Sequence, residues 1–174
     1  AATWDRHRTV AAYMGGGPGS GIHRSDDNGK TWTYLGLPES HHIGDIELDP
    51  SNSQTAWVAV LGHLYSTNDE RGVYKTTDGG KTWQRSLFVN NGTGCVDLAM
   101  DPTNPSVVYA AMWQRSREAW KFEESGPSSG IYRTKDGGAN WEKISGSGAG
   151  FMEGNKIGRI GVTTFPGNSN LVYA

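Results

Sequence analysis

The stretch KTTDGGKTW at residues 75–83 occurs twice more in related form, as RSDDNGKTW at residues 24–32 and RTKDGGANW at residues 133–141. Each copy has the form Ser/Thr-x-Asp-x-Gly-x-Thr-Trp, except that Asn140 replaces Thr in the third copy. Such regular repetition predicts a fold assembled from copies of one small structural unit.

The motif has the chemistry of a tight turn between two strands. An Asp side chain can accept hydrogen bonds from nearby backbone N–H groups, and Gly tolerates the positive φ angles that such turns require. The Trp opens the return strand, where its ring can pack against a neighbouring layer. We call the three copies the Asp–Gly turns. We predict a structural role, not a catalytic or metal-binding one, for Asp27, Asp78, Asp136, Gly29, Gly80, Gly138, Trp32, Trp83 and Trp141.

The Asp–Gly turns resemble Asp-box repeats, which are also called bacterial neuraminidase repeats. Those repeats occur in β-propellers, including sialidases, xyloglucan-cleaving hydrolases, sortilin-type receptors and photosystem assembly factors. Longer stretches, DPTNPSVVYAAMWQRSRE (101–118) and SGPSSGIYRTKDGG (125–138), are most similar to large bacterial repeat proteins related to the sortilin propeller. The resemblance implies an all-β propeller outside the cytoplasm. It does not select a chemistry, because enzymes and non-enzymes share the motif.

The composition agrees with an all-β domain and excludes several classes of partner. The 174 residues include 25 Gly, 7 Trp and 7 Tyr, and no long stretch has helical periodicity. A formal net charge of −2 gives no reason to expect nucleic acid as a partner. No apolar run is long enough to insert into a membrane. We expect Cys95 to be buried in a strand, and we expect no cofactor.

Strand patterns around the turns divide the chain into propeller blades. Each complete blade is predicted to contain four successive antiparallel strands joined by tight turns. Residues 1–8 also align without a gap to residues 110–117, and the same offset of 109 carries residues 17–22 onto 126–131. The prediction is one Asp-box β-propeller segment over residues 1–174, with a half blade at 1–36, blades at 42–89 and 94–145, and a half blade at 157–174.

Two blades and two half blades are fewer than a closed ring usually contains, because propellers typically have about four to eight blades. We expect further blades to complete the ring and to cover strand edges that would otherwise stay unpaired. These blades belong either to a longer chain or to another copy of this one. A compact ring of three blades is the remaining alternative.

In a blade of alternating strands, the short turns share one end and the long loops share the other, where binding residues tend to lie. The loop around residues 113–124 and its counterpart from residue 4 onward combine aromatic residues with arginine, which is typical of protein interfaces and sugar-binding platforms. In the alternative interpretation, the tryptophans cover the core, the arginines pair with local carboxylates, and a histidine bonds to backbone. The candidate partner-binding residues are Trp113, Arg115, Arg117, Trp120, Trp4, Arg6 and His63.

Two sets of polar residues have the side chains of a metal or catalytic site. Glu39, His41, His42, Asp45 and Glu47 cluster at the start of the first complete blade. His41, His42 and Asp45 could form part of a metal or acid–base site, but no second set of ligands lies at a diagnostic spacing, so we predict no metal. Glycoside hydrolysis needs two carboxylates roughly 5–10 Å apart. The candidates are Asp45, Glu47, Asp97, Glu118, Glu123 and Glu124.

Neither active site implied by the resemblance can be placed on this sequence. Sialidases need three arginines, and Arg115, Arg117 and Arg159 are available, but no arginine motif of that type precedes the first turn. The paired aspartates of xyloglucan-cleaving enzymes cannot be matched either. We therefore predict a non-catalytic β-propeller module that binds a protein, peptide or glycan at its long loops. The alternatives are a glycoside hydrolase with an active site partly outside this chain, and a subunit or assembly factor of a membrane-associated complex.

Overall fold

The computed structural model of the chain describes residues 1–4, 7–8, 13–14, 19–118, 120–146, 148–152 and 157–174. Nearly all regular structure in these residues is antiparallel β-sheet, and the exception is one short 3-10 helix, Pro38–Ser40. In the described part of the chain, no helix has the length and apolar character needed to cross a membrane.

The first sheet has three strands and is interrupted by a small hairpin. Strand β1 (Ala2–Trp4) is followed by the hairpin of β2 (His7–Arg8) and β3 (Tyr13–Met14). Strands β4 (Gly19–Arg24) and β5 (Thr33–Tyr34) complete the sheet in the order β1-β4-β5.

Two four-stranded sheets follow, and in both the spatial order equals the chain order, as in a propeller blade. The first blade consists of β6 (Ile43–Leu48), β7 (Ala56–Val60), β8 (Gly72–Thr76) and β9 (Gln84–Leu87). The second blade has β10 (Thr93–Met100), β11 (Val108–Gln114), a small hairpin of β12 (Ser116–Arg117) and β13 (Phe122–Glu123), then β14 (Gly130–Thr134) and β15 (Glu142–Lys143). The all-β fold of four-stranded antiparallel blades is confirmed.

Strand pairings repeat at the offset of 109 residues that the sequence predicts. Ala2 lies opposite Ile22 in the first sheet, and Ala111 lies opposite Ile131 in the second blade. The hairpins β2–β3 and β12–β13 are related by the same offset, although neither hairpin was predicted as strand. The two hairpins therefore have the same strand pairing at equivalent positions.

The last two strands, β16 (Thr163–Phe165) and β17 (Asn168–Tyr173), form a separate pair. Within the half blade predicted at residues 157–174, regular strand begins only at Thr163. Val162 donates its backbone N–H to the Asp97 carboxylate at 2.8 Å, so this segment is attached to the second blade through a side chain.

The core lies in layers between successive sheets. In β7, Trp57 and Ala59 face the second blade, whereas Val58 and Val60 face the first sheet. Burial on both faces explains why β7 and β11 are continuous apolar runs instead of alternating patterns. Cys95 is fully buried in the layer between the blades, and this burial raises the pKa of its thiol.

The Asp–Gly turns share one hydrogen-bond pattern, which the turn at residues 76–83 illustrates. Asp78 Oδ1 accepts from the backbone N–H of Thr82 at 3.0 Å, and Oδ2 accepts from its hydroxyl at 2.6 Å. Thr76 Oγ1 accepts from the N–H of Gly80 at 2.9 Å, and Gly80 has a φ of 89° that favours glycine. One carboxylate and one hydroxyl thus bind the backbone on both sides of the turn.

The third turn keeps this pattern despite its altered sequence. Asn140 donates its side-chain N–H to Asp136 Oδ2 at 2.7 Å, in the place of the missing Thr hydroxyl. The hydrogen bonds from Asn140 hold the pKa of Asp136 at about 2. Those from Thr31 hold the pKa of Asp27 at about 2, and those from Thr82 lower the pKa of Asp78 further.

The tryptophans of the three turns differ in their surroundings. Trp83 donates its ring N–H to the Leu35 carbonyl at 2.7 Å, and Trp141 donates to Ser86 Oγ at 3.0 Å, so each reaches the sheet that precedes its own. Trp32 is 53% exposed, which contradicts the prediction that its ring would pack against a neighbouring layer. Among the described residues, no sheet precedes the one to which Trp32 belongs.

The short turns and the long connections lie at opposite ends of the strands. The turn rim comprises residues 25–32, 49–55, 77–83, 101–107 and 135–141, where Gly79 N–H bonds to the Gln54 carbonyl and Gly137 N–H to Ser106. The loop rim comprises residues 37–42, 61–71, 88–92, 115–118 and 120–129, where Leu61 N–H bonds to the His42 carbonyl and Arg115 N–H to Gly92.

Candidate functional site

A cleft of about 280 Å³ opens at the loop rim between the first sheet and the two blades. Leu61, Leu64 and Val96 belong to its lining, and we call them the apolar floor. We call Trp113 and Phe122 the aromatic wall. The remaining lining residues are a third large aromatic residue, three arginines and a short segment before and within β6, namely Trp4, Arg115, Arg117, Arg159, His42, Ile43 and Gly44.

Four of the seven candidate partner-binding residues line this cleft, namely Trp4, Trp113, Arg115 and Arg117. Trp120 is 83% exposed and is absent from the cleft lining. His63 lies in a neighbouring cluster, and Arg6 lies outside the described residues. Phe122 was not singled out by the sequence, because the hairpin that carries it was not predicted.

The aromatic wall is held by the hairpin β12–β13. Trp113 is only 8% exposed, and its ring N–H donates to the Glu124 carbonyl at 2.7 Å. Its ring meets that of Phe122 edge to face at 6.5 Å. The Arg117 guanidinium lies 5.2 Å from the Phe122 ring centre, and that of Arg115 lies 5.3 Å from the Trp113 ring centre. Each arginine is thus held against an aromatic face.

Arg115 is the most unusual group in the cleft, because its charge is buried without a counter-ion among the described residues. Its side chain is 8% exposed, and Nε and Nη2 have no hydrogen-bond acceptor in the described structure. Burial, together with the charges of Arg71, Arg159 and Arg117, lowers the pKa of Arg115 to about 10. The guanidinium therefore remains charged at neutral pH.

The alternative in which these arginines pair with local carboxylates finds no support in the described residues. None of the ion pairs found there involves Arg115, Arg117 or Arg159. No carboxylate in this part of the chain lines the cleft either. The cleft therefore has a strongly positive potential beside an apolar floor.

Arg71 connects several loops of the loop rim, and no sequence pattern identifies it. Its side chain is 1% exposed, and burial lowers its pKa to about 10. Its guanidinium donates to four backbone carbonyls, those of Gly92 at 2.6 Å, His63 at 2.8 Å, Ser66 at 3.0 Å and Arg115 at 3.3 Å. The equivalent positions before Gly21 and Gly130 hold serine, so repetition gave no signal for this residue.

A cluster of two histidines and a glutamate lies beside the cleft. The rings of His41 and His63 stack with their centres 3.6 Å apart, and Glu39 Oε2 is 4.0 Å from Nε2 of each. Burial lowers the pKa of His41, and the neighbouring His63 adds to this effect. We call these three residues the histidine cluster.

The structure separates the residues that the sequence grouped as a metal or acid–base candidate. His41 belongs to the histidine cluster, whereas His42 is 1% exposed and its Nδ1 bonds to the Gly62 carbonyl at 2.8 Å. The His42 ring meets Trp4 edge to face at 4.8 Å and lines the cleft. Asp45 lies apart from both histidines, where its Oδ2 accepts from Leu98 N–H at 3.2 Å.

The carboxylates of the inner strands connect neighbouring blades. Asp45 and Asp97 occupy equivalent positions in β6 and β10, beside a register shift in each strand. Asp45 accepts from the backbone of β10, and Asp97 accepts from Val162 at 2.8 Å. Burial raises the pKa of Asp45 and of Glu47, and the neighbouring carboxylates add to this.

A model of the family described as "Sortilin, neurotensin receptor 3" matches residues 20–156 of this chain. The vacuolar protein sorting/targeting protein 10 of Kluyveromyces lactis is 31% identical over 45% of this chain and 5% of its own length. The oligoxyloglucan-reducing end-specific xyloglucanase of Emericella nidulans is 25% identical, over 71% of this chain and 21% of the enzyme. A xyloglucanase of a Paenibacillus species is 24% identical, over 75% of this chain and 14% of the enzyme.

Among solved structures, an ancestral GH74 enzyme superposes with a TM-score of 0.67 at 20% identity. The match covers 88% of this chain and 18% of that enzyme, and it supports the fold alone. The chain thus spans about a fifth or less of the length of these relatives.

Proposed function

The chain belongs to the Sortilin-Vps10 family of β-propeller proteins, and from this premise we propose that it is a non-catalytic binding segment that holds an acidic peptide or protein segment in the basic aromatic cleft. Aspartate or glutamate side chains of the partner would contact Arg115, Arg117 and Arg159. The apolar part of the partner would pack against the aromatic wall.

The observation that carries this proposal is the buried guanidinium of Arg115. A buried charge without a partner is costly, and a bound carboxylate would offset that cost through charge-assisted hydrogen bonds. Arginine suits this role because its planar fork binds both oxygens of one carboxylate. Nε and Nη2 of Arg115 are buried without acceptors in the described structure, so a carboxylate would reach them after a shift of the side chain toward the cleft that it lines.

The other two arginines favour an extended acidic partner over a single small anion. Arg117 lies on the hairpin β12–β13, whereas Arg159 comes from the segment before β16, so the charges belong to separate elements around the cleft. Trp4 is 50% exposed, so it offers apolar surface beside these charges. Aromatic residues and arginine are the side chains most often found at the energetic centre of protein interfaces.

The proposal is tested by titrating the chain against a labelled peptide of eight glutamates and a matched peptide of eight glutamines, with fluorescence anisotropy. We expect binding of the acidic peptide only, and weaker binding as salt rises. Arg117→Gln and Arg159→Gln should each weaken this binding by about tenfold or more.

Lys81→Gln is the matched control, because it removes the same charge from an exposed position on the turn rim. It should leave the affinity within about twofold. Equal binding of the two peptides, or equal losses for Lys81→Gln and Arg117→Gln, would overturn the proposal.

A glycoside hydrolase is the second candidate, and the similarity to two xyloglucanases favours it. The aromatic wall would then stack against sugar rings, and the arginines would have no counter-charge in a neutral glycan. Incubation with xyloglucan oligosaccharides distinguishes the two functions. Cleavage that Asp97→Asn abolishes would favour the hydrolase, whereas glycan binding that survives Arg117→Gln would favour a carbohydrate-binding module.

We also propose that the segment acts outside the cytoplasm and that further blades complete its ring. The sortilin relationship supports the location, and the greater length of the relatives supports the additional blades. Sedimentation of the 174-residue chain tests the source of those blades. Concentration-dependent dimers would favour closure between copies, and a monomer would favour blades from a longer chain.

A further inference from the structure

The histidine cluster has the composition and the spacing of a metal site. Two imidazoles and one carboxylate are ligands that zinc and related divalent metals prefer. The three candidate ligand atoms of Glu39, His41 and His63 lie within 4.8 Å of one another. Ligand atoms around one zinc ion are about 3–3.6 Å apart. The rings of His41 and His63 are stacked, so at least one of them must rotate out of the stack for both nitrogens to point at one ion.

Direct hydrogen bonds do not explain why these side chains converge. The 4.0 Å from Glu39 Oε2 to each histidine Nε2 exceeds the length of a hydrogen bond. His63 Nε2 is buried and has no hydrogen-bond partner among the described residues. The three candidate ligand atoms therefore lie near one another without a direct hydrogen bond from the carboxylate to either ring.

The second nitrogen of His63 is already oriented as in many metal sites. Nδ1 lies 3.0 Å from Ser66 Oγ, which can fix the tautomer so that Nε2 carries the free lone pair.

Hydrogen bonds of two side chains in the β7–β8 loop hold His63 beside Glu39 and His41 without a metal. Glu39 lies in the 3-10 helix, and His41 follows with a left-handed φ of 49°. The Asn68 side chain donates from Nδ2 to the Glu39 carbonyl at 3.3 Å, and its Oδ1 accepts from the backbone N–H of His63 at 3.1 Å. Arg71 binds the His63 carbonyl within the same loop, so it is the Asn68 side chain that joins the β7–β8 loop to the connection before the first blade.

We propose that Glu39, His41 and His63 bind one divalent metal ion of the zinc class, with water in the remaining coordination positions. Glu39 is 64% exposed, so the site is open to solvent on one side. This site replaces the sequence-based grouping of His41 with His42 and Asp45, and it is independent of the proposed partner-binding cleft.

The experiment starts from chelator-treated chain and adds Zn²⁺, with the melting temperature and the visible spectrum of added Co²⁺ as separate measurements. We expect Zn²⁺ to raise Tm with its concentration, because a ligand of the folded state stabilises it by mass action. Mg²⁺ should give no shift, because it prefers oxygen ligands. Glu39→Gln and His63→Gln should weaken zinc binding by about tenfold or more and remove the Co²⁺ band.

Two further variants separate a lost site from a lost fold. Ser66→Ala removes only a hydroxyl and should weaken zinc binding by about tenfold through the orientation of His63. His23→Gln, in β4 and outside the cluster, should leave zinc binding unchanged. The proposal is overturned if the chain shows neither a Zn²⁺-dependent Tm shift nor a Co²⁺ band, if Mg²⁺ shifts Tm equally, or if His23→Gln has the effect of His63→Gln.

Discussion

The Asp–Gly turns and the loop rim belong to the same blades, but the side chains that bind their backbone act over different distances along the chain. In the Asp–Gly turns, the Asp78 carboxylate binds groups within four residues, and the pattern occurs in all three copies. On the loop rim, Arg71 binds carbonyls from 5 to 44 residues away, and no other blade has an equivalent residue.

This difference shows which part of a repeat protein is free to acquire function. A turn that closes within eight residues can be copied with its sequence, so the turn rim keeps one structure. The loop rim is held by single residues that differ between blades, and the cleft and the histidine cluster both lie there. Variable loops on a constant framework are the usual location of binding sites.

Replacement of Arg71 should give the largest effect, because it breaks the contacts specific to the loop rim. Arg71→Met leaves several buried carbonyls without donors and should lower the free energy of unfolding by about 3 kcal/mol or more. Urea denaturation measures the change. The control is Arg24→Met, since Arg24 is a partly exposed cation at the end of β4 that pairs with Asp26 at 2.7 Å and makes one long bond, 3.4 Å, to the Gly79 carbonyl. The control should cost less than about 1 kcal/mol. Equal losses would contradict the difference between the rims.

Two tryptophans at the same motif position test whether the repeat or its surroundings determine stability. Trp141 packs edge to face on Trp57 at 6.0 Å, whereas Trp32 is 53% exposed. Trp141→Ala should lower the free energy of unfolding by about 2–4 kcal/mol, and Trp32→Ala by less than about 1 kcal/mol. Thermal and urea unfolding of both variants measure the difference. Similar losses would mean that the tryptophan acts within its own turn.

The same contrast explains which features the sequence could predict. The blades and the Asp–Gly turns follow from local patterns, such as strand alternation and the Asp-x-Gly spacing. The shared position of Trp4 and Trp113 follows from the offset of 109 residues. These inferences need no knowledge of contacts between distant residues.

The remaining features depend on contacts that no local pattern encodes. Arg159 and Arg115 line one cleft although 44 residues separate them. The sequence pattern indicates a loop where the structure has the hairpin that carries Phe122. His63 joins Glu39 and His41 only because the β7–β8 loop folds back on the preceding connection. The sequence therefore grouped His41 with residues close to it in the chain, whereas the structure also places His63 beside it.

The change of Asp to Asn should have opposite effects on the free energy of unfolding at Asp78 and at Asp45 at neutral pH. The pKa of Asp78 is lowered by hydrogen bonds, so its ionised form stabilises the fold above its ordinary pKa near 4, and this contribution is lost as the pH falls toward the folded-state value. Asp78→Asn should therefore destabilise the chain at pH 7, and the difference from the parent should shrink below about pH 4.

Asp45 provides the matched case, because burial raises its pKa and the ionised form is the costly one. Asp45→Asn keeps an oxygen for the Leu98 N–H and removes the repulsion from Asp97 and Glu47, which together should outweigh the loss of the second oxygen as acceptor for the Ile46 N–H. It should raise the free energy of unfolding at pH 7 by a few tenths to about 1 kcal/mol. The gain should vanish as acid protonates Asp45 in the parent. Urea curves from pH 7 down to about pH 3 measure both variants, and losses of the same sign at pH 7 would contradict the opposite electrostatics.

We expect the smallest effect on the free energy of unfolding at Asn140, where the third Asp–Gly turn already differs from the other two. Asn140 donates to both oxygens of Asp136, at 2.9 Å through the backbone and 2.7 Å through its amide, and Thr82 makes the equivalent bonds to Asp78. Asn140→Thr exchanges one donor for another at an exposed position, so the free energy of unfolding should change by less than about 0.5 kcal/mol. Asn140→Ala removes only the side-chain donor and should be clearly less stable than Asn140→Thr in the same urea titration. If the two variants behave alike, the turn is held by the backbone bond alone, and the local chemistry that distinguishes the turn rim is weaker than its regularity suggests.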